Sequence, residues 1–255
     1  MKFSIITATK NAGDHIEDTL KSVAKQENNS FEHIIIDSNS TDSTLKIIKG
    51  YKHKYRLKFI SEKDSGIAEA FNKGIKLSKG AWLIFLGSGD ELISNQILFE
   101  MEKELKLRKS ELIVWGNIKY KALNGTIGKK IKGDFPKGRL KKFMCLPHQA
   151  AFHNKILFKR FGFYDESYKT SMDYDLVLRG YDSINTRSYI NKDISYMLVG
   201  GISNNNQRLV FKEMMLAQKN NSVWKIWFVP QLLFFWAHIK YIIKKILQYN
   251  STNID

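Results

Sequence analysis

Three acidic residues follow short apolar runs in the first part of the chain: Asp37 after His33-Ile-Ile-Ile, Asp64 after Ile60-Ser-Glu-Lys, and Asp90 after Leu86-Gly-Ser-Gly. If those runs are neighbouring strands of a parallel sheet, their carboxylates emerge along one edge and can converge. Asp37 would suit hydrogen bonds from a base or a ribose. Asp90 lies on a glycine-rich turn that permits close backbone approach, and an oxygen ligand there would suit a hard divalent cation. Asp, Ser and Gly also cap and turn at strand ends for structural reasons alone, a reading that holds for any one of the three. Three successive strand ends favour a shared site. A further acidic pair, Asp173 and Asp175, falls on a segment from about Met172 to Arg179 with helical patterning. Two residues apart on a helix, these side chains point in different directions and do not share one task. Capping of the helix is the structural alternative for Asp173, and a cap or an ion pair is the expectation for Asp175.

The elements that must position these groups alternate. Phe3 to Ala8, His33 to Asp37, Leu57 to Ser61, Ala81 to Gly87 and Leu112 to Trp115 read as strands. Between them, apolar residues at helical spacing (Ile16, Leu20, Val23 and Ala24; Ile67, Ala70, Phe71, Gly74 and Ile75; Ile97, Leu98, Met101 and Leu105) predict helices. Asp14-His-Ile-Glu17 has the spacing of a capping box. Such alternation means a mostly parallel sheet with helices on both faces, and ligands of such sheets bind outside the carboxyl ends of the strands. From Asn117 to Lys132 the chain turns polar, and Asn124-Gly125 predicts a hairpin turn. Gln149 to Phe152 and Ser195 to Val199 read as further strands, and Leu209 to Ala217 as a helix.

With 255 residues, 43% hydrophobic and 26% charged, the chain can bury a core and is neither disordered nor fibrous. The single Cys145 excludes an intramolecular disulfide framework and suits a reducing compartment. Met1-Lys2 runs straight into the first strand with no export segment, so a cytoplasmic protein is expected. A formal charge of +16 calls for an anionic partner: nucleic acid, a phosphorylated substrate or an anionic membrane. The basic residues are scattered, and nothing resembles a helix-turn-helix, a zinc finger or an RNP motif, which argues against nucleic acid.

Taken in order, Ile5-Ile-Thr-Ala-Thr-Lys-Asn11, Ile36-Asp-Ser-Asn-Ser-Thr-Asp-Ser-Thr44, Ser61-Glu-Lys-Asp-Ser-Gly-Ile67 with Ala70-Phe-Asn-Lys-Gly74, and Phe85-Leu-Gly-Ser-Gly-Asp90 resemble the nucleotide-sugar half of family 2 glycosyltransferases with the GT-A fold. The resemblance continues through His148-Gln149 and Met172-Asp-Tyr-Asp-Leu-Val-Leu-Arg179 and covers most of residues 1–205. It implies an α/β, GT-A-like domain over 1–205, with a nucleotide-sugar half at 1–115 and an acceptor half at 116–205. It also implies roles. Thr7, Ala8 and Thr9 would line the nucleotide with backbone groups, Asp37 would bind uracil or ribose, and Asp64 would contact the base. Asn72 and Lys73 would lie towards the diphosphate, with Ser88 and Gly89 in the same binding loop. Asp90 matches the last acid of the DxD motif that holds Mn²⁺ or Mg²⁺, and Asp173 the general base acting on the acceptor hydroxyl. His148 would contact metal, diphosphate or acceptor, or serve as a structural hydrogen-bonder. Gly200-Gly201-Ile202-Ser203 resembles the segment closing the acceptor side, and a plain turn explains it equally well.

Two departures from the pattern matter. Ser88-Gly89-Asp90 lacks the first carboxylate of DxD, which puts metal affinity in doubt and leaves an inactive nucleotide-sugar-binding protein of the same fold as an alternative. Phe71 stands where Arg often supplies a cation, with Lys73 as the substitute on offer. Chemistry supports the assignments independently: departure of a sugar leaves negative charge on the β-phosphate, which a metal at Asp90 would stabilise, and Asp173 would take the proton of the attacking hydroxyl. One base and no second carboxylate nucleophile imply a single displacement with inversion.

The remaining 206–255 read as a helical tail. Ile226 to Ile239 holds no Lys, Arg, Asp or Glu, and Pro230 interrupts it. A spanning helix needs about twenty apolar residues. Trp224, Trp227 and Trp236 with flanking Lys225, Lys240, Lys244 and Lys245 instead suit an interfacial helix on an anionic membrane. Packing on the protein's own core or in a dimer is the structural alternative. The expectation is an inverting, metal-dependent enzyme, peripheral on the inner face of the cell membrane. By family analogy it would use a UDP-sugar and a lipid-diphosphate-linked saccharide acceptor in O-antigen or capsule assembly.

Overall fold

The computed structural model describes residues 1–185, 188–200 and 206–224, together with Leu232, Phe235, Trp236 and Ile239. Four strands, β1 (Phe3–Thr9), β2 (Phe31–Asp37), β3 (Leu57–Ser61) and β4 (Trp82–Gly87), pair in parallel in the order β3-β2-β1-β4. Their register sets Thr9 beside Asp37, Asp37 beside Ser61, and Ala8 beside Gly87, so the carboxyl ends finish level. The connecting helices are α1 (Ile16–Ala24), α2 (Thr44–Tyr51) and α3 (Ile67–Leu77), followed after β4 by α4 (Ile97–Leu107).

β1 is buried almost throughout because both faces are covered. Ile6 enters one core with Phe71, Ile75, Leu83 and Phe85; Phe3 and Ile5 enter the other with Ile84, Leu98 and Met101. Burial of each such side chain stabilises the fold by about 1.5–3 kcal/mol. Inside this sheet His33 accepts or donates to Thr7 Oγ1 at 2.9 Å and Tyr55 Oη at 2.8 Å, and burial pushes its imidazole down to about 3, so it is neutral.

Beyond β4 the sheet becomes mixed. β8 (Ala151–Asn154) is inserted antiparallel between β4 and β6 (Ile113–Lys121), and β9 (Tyr189–Leu198) runs parallel to β6. A two-residue β5 (Glu91–Leu92) closes on β9, and β7 (Ile127–Ile131) forms a hairpin with β6. The hairpin turns at Asn124-Gly125, as the sequence predicts, with Gly125 at a φ of +83° that favours glycine. His148–Ala150 is a single 3-10 turn leading into β8, so the strand starts later than Gln149.

α5 (Lys155–Phe161), α6 (Met172–Arg179) and α7 (Gln207–Asn220) complete the fold. α6 has the bounds expected from its sequence. The capping box at Asp14 does not form: His15 is the N-cap of α1 with no side-chain cap bond, and Glu17 instead pairs with Lys21 at 3.2 Å and accepts from Tyr51 at 3.1 Å. α7 packs into the body of the protein, where Met214 and Ala217 join the core around Tyr174 and Gln218 donates to Tyr174 Oη at 3.0 Å. No helix among the described residues is long and apolar enough to cross a membrane. The tail from Ile226 to Ile239 lies largely outside the described residues, as does Gly201-Ile202-Ser203; Leu232, Phe235 and Trp236 are exposed.

α3 approaches β1 so closely at Gly74 that a Cβ there would overlap Ile6 Cγ2, and Ile6 is fully buried. Gly74→Ala gains about 1 kcal/mol of helix propensity and loses about 1–3 kcal/mol to overpacking. Net destabilisation is expected, read as a lower urea midpoint with an unchanged m-value.

Candidate active site

The ends of β1 and β4, the loop after β3, the segment before β8 and the start of α6 surround a cleft of about 900 Å³. Of the residues proposed from sequence, Ala8, Thr9, Asp64, Ser88, Asp90, His148 and Asp173 line it. Thr9 is 6% exposed and its hydroxyl has no hydrogen-bond partner among the described residues, an uncompensated cost that a bound polar ligand would remove. Asp64 Oδ1 accepts the Gly66 N–H at 3.1 Å, which bends the loop into the start of α3.

Asp90 lies on the cleft floor, 5% exposed. Its Oδ2 accepts the Gly87 N–H at 2.8 Å and its Oδ1 the Leu198 N–H at 2.9 Å. The turn that presents it requires Gly89, whose φ is +94° and whose missing Cβ makes room for Leu198. Burial pushes the Asp90 carboxyl up to about 7, against the pull of these N–H groups and of the Gln149 side chain. A carboxylate so placed gains from a nearby positive charge. Each of its oxygens retains lone-pair capacity.

Asp173 stands in the first turn of α6, where the helix N-terminus favours negative charge. Its Oδ1 accepts the Tyr174 N–H at 2.8 Å, and burial raises its carboxyl to about 6. Asp175, two residues on, faces away into the protein and is held by Arg179 Nε at 2.8 Å and Asn221 Nδ2 at 2.9 Å. Beside the cleft, His148 Nε2 meets Tyr164 Oη at 2.9 Å and its ring stacks on Phe85 with centroids 5.2 Å apart. Burial, with His153 at 5.3 Å between ring centroids, holds His148 well below its ordinary range. His153 is itself pushed down to about 4 by burial. Both imidazoles are therefore neutral.

Five of the sequence-derived residues do not line the cleft. Thr7 is bonded to His33 within the sheet. Asp37 is fully buried and accepts from Ser40 N at 3.0 Å, Ser40 Oγ at 2.5 Å and Ser61 Oγ at 2.6 Å, fastening the loop after β2 to the end of β3. Asn72 clamps another loop, donating to Tyr164 O and Glu166 Oε1 at 2.9 Å and accepting from Tyr164 N at 3.0 Å. Lys73 pairs with Glu62 and Glu69, each at 2.8 Å. Gly89 shapes the Asp90 turn and donates its N–H to Thr19 Oγ1 at 2.8 Å. Spacing alone left unnoticed several residues on the wall: Ser38 beside Asp37, and Lys10 and Lys169, which bring cationic groups where Lys73 does not. The position of Ser38, one residue past the strand end, is a usable signal; Lys169 carries none.

Among the described residues no group of three or more His, Cys, Asp and Glu side chains could hold a metal ion unaided. The donor set on offer is the Asp90 carboxylate, and it fits Mg²⁺ or Mn²⁺ in the manner of sites where one or two carboxylates share the ion with substrate phosphates and water.

The profile of Glycosyl transferase family 2 matches residues 4–160. A PGL/p-HBAD biosynthesis glycosyltransferase of Mycobacterium tuberculosis is 32% identical over 208 residues, 79% of each chain. The Staphylococcus aureus poly(ribitol-phosphate) beta-N-acetylglucosaminyltransferase TarS is 32% identical over 129 residues, 49% of this chain and 22% of TarS. Among solved structures, S. aureus TarS in complex with UDP-GlcNAc superposes with a TM-score of 0.66 at 22% identity, over 85% of this chain and 66% of that one. This chain spans 39% of the longer TarS structure. A mannosyltransferase from Pyrobaculum calidifontis in complex with GDP-Man and Mn²⁺ gives a TM-score of 0.64 at 15% identity, over 87% of this chain and 64% of that one. The structures establish a GT-A glycosyltransferase fold, and the family profile and the mycobacterial relative establish that this chain belongs to glycosyl transferase family 2.

Proposed function

We propose that this glycosyltransferase takes a sugar from a UDP-sugar and transfers it, with inversion, to a hydroxyl of a lipid-diphosphate-linked saccharide. The observation that carries the reading is that Asp90 and Asp173, from opposite halves of the chain, line one cleft together with the ends of β1 and β4. Asp64, Ser38 and the Ala8–Thr9 backbone receive the base and ribose, while Asp37 keeps their loop in place. Ser88 and Asp90 face the diphosphate. Mn²⁺ or Mg²⁺, when bound, supplies positive charge that stabilises the departing diphosphate. Asp173 accepts the proton of the attacking hydroxyl; raised to about 6, it is still ionised at neutral pH and basic enough to be effective. His148, held from behind by Tyr164, contacts the acceptor or the diphosphate. The choice of UDP is supported by the likeness to TarS, which has been crystallised with UDP and with UDP-GlcNAc. The use of metal is supported by the likeness to the Mn²⁺-bound mannosyltransferase.

The acceptor is read from the tail. The tryptophan-rich segment after Trp224, its flanking lysines and the +16 charge favour attachment to the inner face of an anionic membrane, where a lipid-linked surface-polysaccharide precursor is met. The test is to incubate the protein with a panel of UDP-sugars, Mn²⁺ and a synthetic lipid-diphosphate sugar. A product whose mass gains one sugar and whose new bond is inverted is expected; hydrolysis alone, or retention, refutes the reading.

Asp90→Asn, which keeps the side chain's shape across the cleft floor but not its charge, is expected to remove most turnover and to weaken UDP binding when Mn²⁺ is present, with little change in EDTA; calorimetry with and without Mn²⁺ reads both. Asp173→Asn keeps shape but loses basicity, so transfer should fall by about 10²–10⁴ while UDP affinity stays near wild type. In the wild type the rate should drop as pH falls through about 6, because protonation of Asp173 removes the base. A chain ending at Trp224 retains the contacts of Asn221 with Asp175 and of Trp224 with Gln218. It should fold and bind UDP, yet fail to float with anionic vesicles that carry the full chain.

A further inference from the structure

α7 carries a carboxylate that the chemistry above does not use. Glu213 is 6% exposed. Its Oε1 accepts the Lys169 N–H at 2.7 Å, and its Oε2 accepts the Thr170 N–H at 2.8 Å, the Thr170 hydroxyl at 2.7 Å and the Ser171 N–H at 3.0 Å. All four donors come from the segment that enters α6, and Met172 and Asp173 follow directly. Ser171 adds a bond of its own from Oγ to Val210 O at 3.4 Å, so the segment is fastened to α7 at two heights. The wall of the cleft includes Lys169, Thr170, Ser171, Met172 and Asp173 without a break. Lys169 also spans to the other side, where Nζ donates to Ser65 O at 2.9 Å.

We infer that Glu213 is the positioning residue for Asp173: it gathers the N–H groups of the preceding segment around one buried carboxylate and thereby fixes where the base stands relative to the acceptor. This rests on the reading of Asp173 as the base. The N-cap residue of α6, Ser171, makes no side-chain cap bond, so the helix has no local device that sets its entry. Glu213 supplies that device from another element. Its charge has a second effect. Burial is the main reason that the Asp173 carboxyl is raised, and the Glu213 charge adds to it. The other titratable groups around Asp173 are Tyr164, bonded to His148 on the cleft wall, Lys169 on the entering segment, and Asp175 on α6 itself, which is occupied by Arg179.

Glu213→Gln tests the inference. The amide has one oxygen in place of two acceptors, so either the Lys169 N–H or the cluster at Thr170 and Ser171 faces an NH₂ group. Expected are wild-type circular dichroism, UDP affinity within about twofold, and UDP release from the preferred UDP-sugar slowed about 10- to 100-fold in kcat with KM unchanged. The acid limb of the rate profile should move to lower pH, because a negative charge near Asp173 has gone. Amide exchange at Lys169, Thr170 and Ser171 should accelerate while β1 and β4 stay protected, a readout that needs neither donor nor metal. Thr170→Val, which removes the hydroxyl's bond to Glu213 and its longer contact with Ser171 Oγ at 3.3 Å, should show the same kcat-only loss at about three- to tenfold, and it decides the matter if Glu213→Gln does not fold. Asp173→Asn is measured alongside. If it halts UDP release while Glu213→Gln and Thr170→Val keep the wild-type kcat and acid limb, the positioning role is overturned and the base assignment survives. If UDP release survives Asp173→Asn, both are overturned.

Discussion

One buried carboxylate joins the two halves of this protein at the floor of its cleft. Asp90 takes an N–H from the end of β4 with one oxygen and an N–H from the end of β9 with the other. The first strand belongs to the parallel part of the sheet and the second to its mixed part, so a single side chain ties together strand ends that are otherwise linked only through β8 and β6. Glycine at position 89 is part of the same constraint, since its φ and its closeness to Leu198 bring the carboxylate into reach of β9. The two hydrogen bonds also leave a net charge in a place with little water. A group that fixes the architecture in this way is at the same time the strongest local reason for a cation to enter.

The second half of the site is arranged by the opposite device. Asp173 gains its position from a helix start whose approach is held by α7, far along the chain, while Asp175 anchors the far side of α6 through Arg179 and Asn221. Asp90 and Asp173 thus differ in kind: the first is built into the sheet, and the second is held out on a clasped segment.

Much of this was legible in the sequence. The strands of the first half and the bounds of α6 follow from periodicity and from the punctuation around them, and Asn124-Gly125 marks the hairpin because few other residues accept its backbone. Seven of the residues picked out by the ordered motifs line one cleft. What spacing does not carry is the direction in which a side chain points and the partner it finds. Asp37, Asn72 and Lys73 sit at motif positions, yet each is consumed by a neighbour that lies elsewhere in the chain: Ser61, Tyr164 and Glu62. The insertion of β8 between β4 and β6 is equally nonlocal, because four residues that pair antiparallel carry no mark of where they pair. Glu213 escaped notice for the same reason, as a single acid on an amphipathic helix reads as solvent-facing until its loop partner is known.

The buried imidazoles have a consequence for proton balance. His33 and His153, pushed down to about 3 and about 4, and His148, held well below its ordinary range, refuse a proton that the unfolded chain accepts near pH 6.5. Each therefore draws the chain towards unfolding, by about 1.4 kcal/mol per pH unit, as pH falls from there to its folded value. Asp90 and Asp173 act in the other sense. Folded, they hold protons up to about 7 and about 6 where the unfolded carboxyls release theirs near 3.8, so mild acid strengthens the fold through them. In the empty enzyme the two sets oppose one another, with the three histidines the larger in number. Any ligand that keeps Asp90 ionised removes one counterweight, so the loaded enzyme loses stability more steeply in acid than the empty one, and the cleft's charge state is written into the acid tolerance of the whole domain.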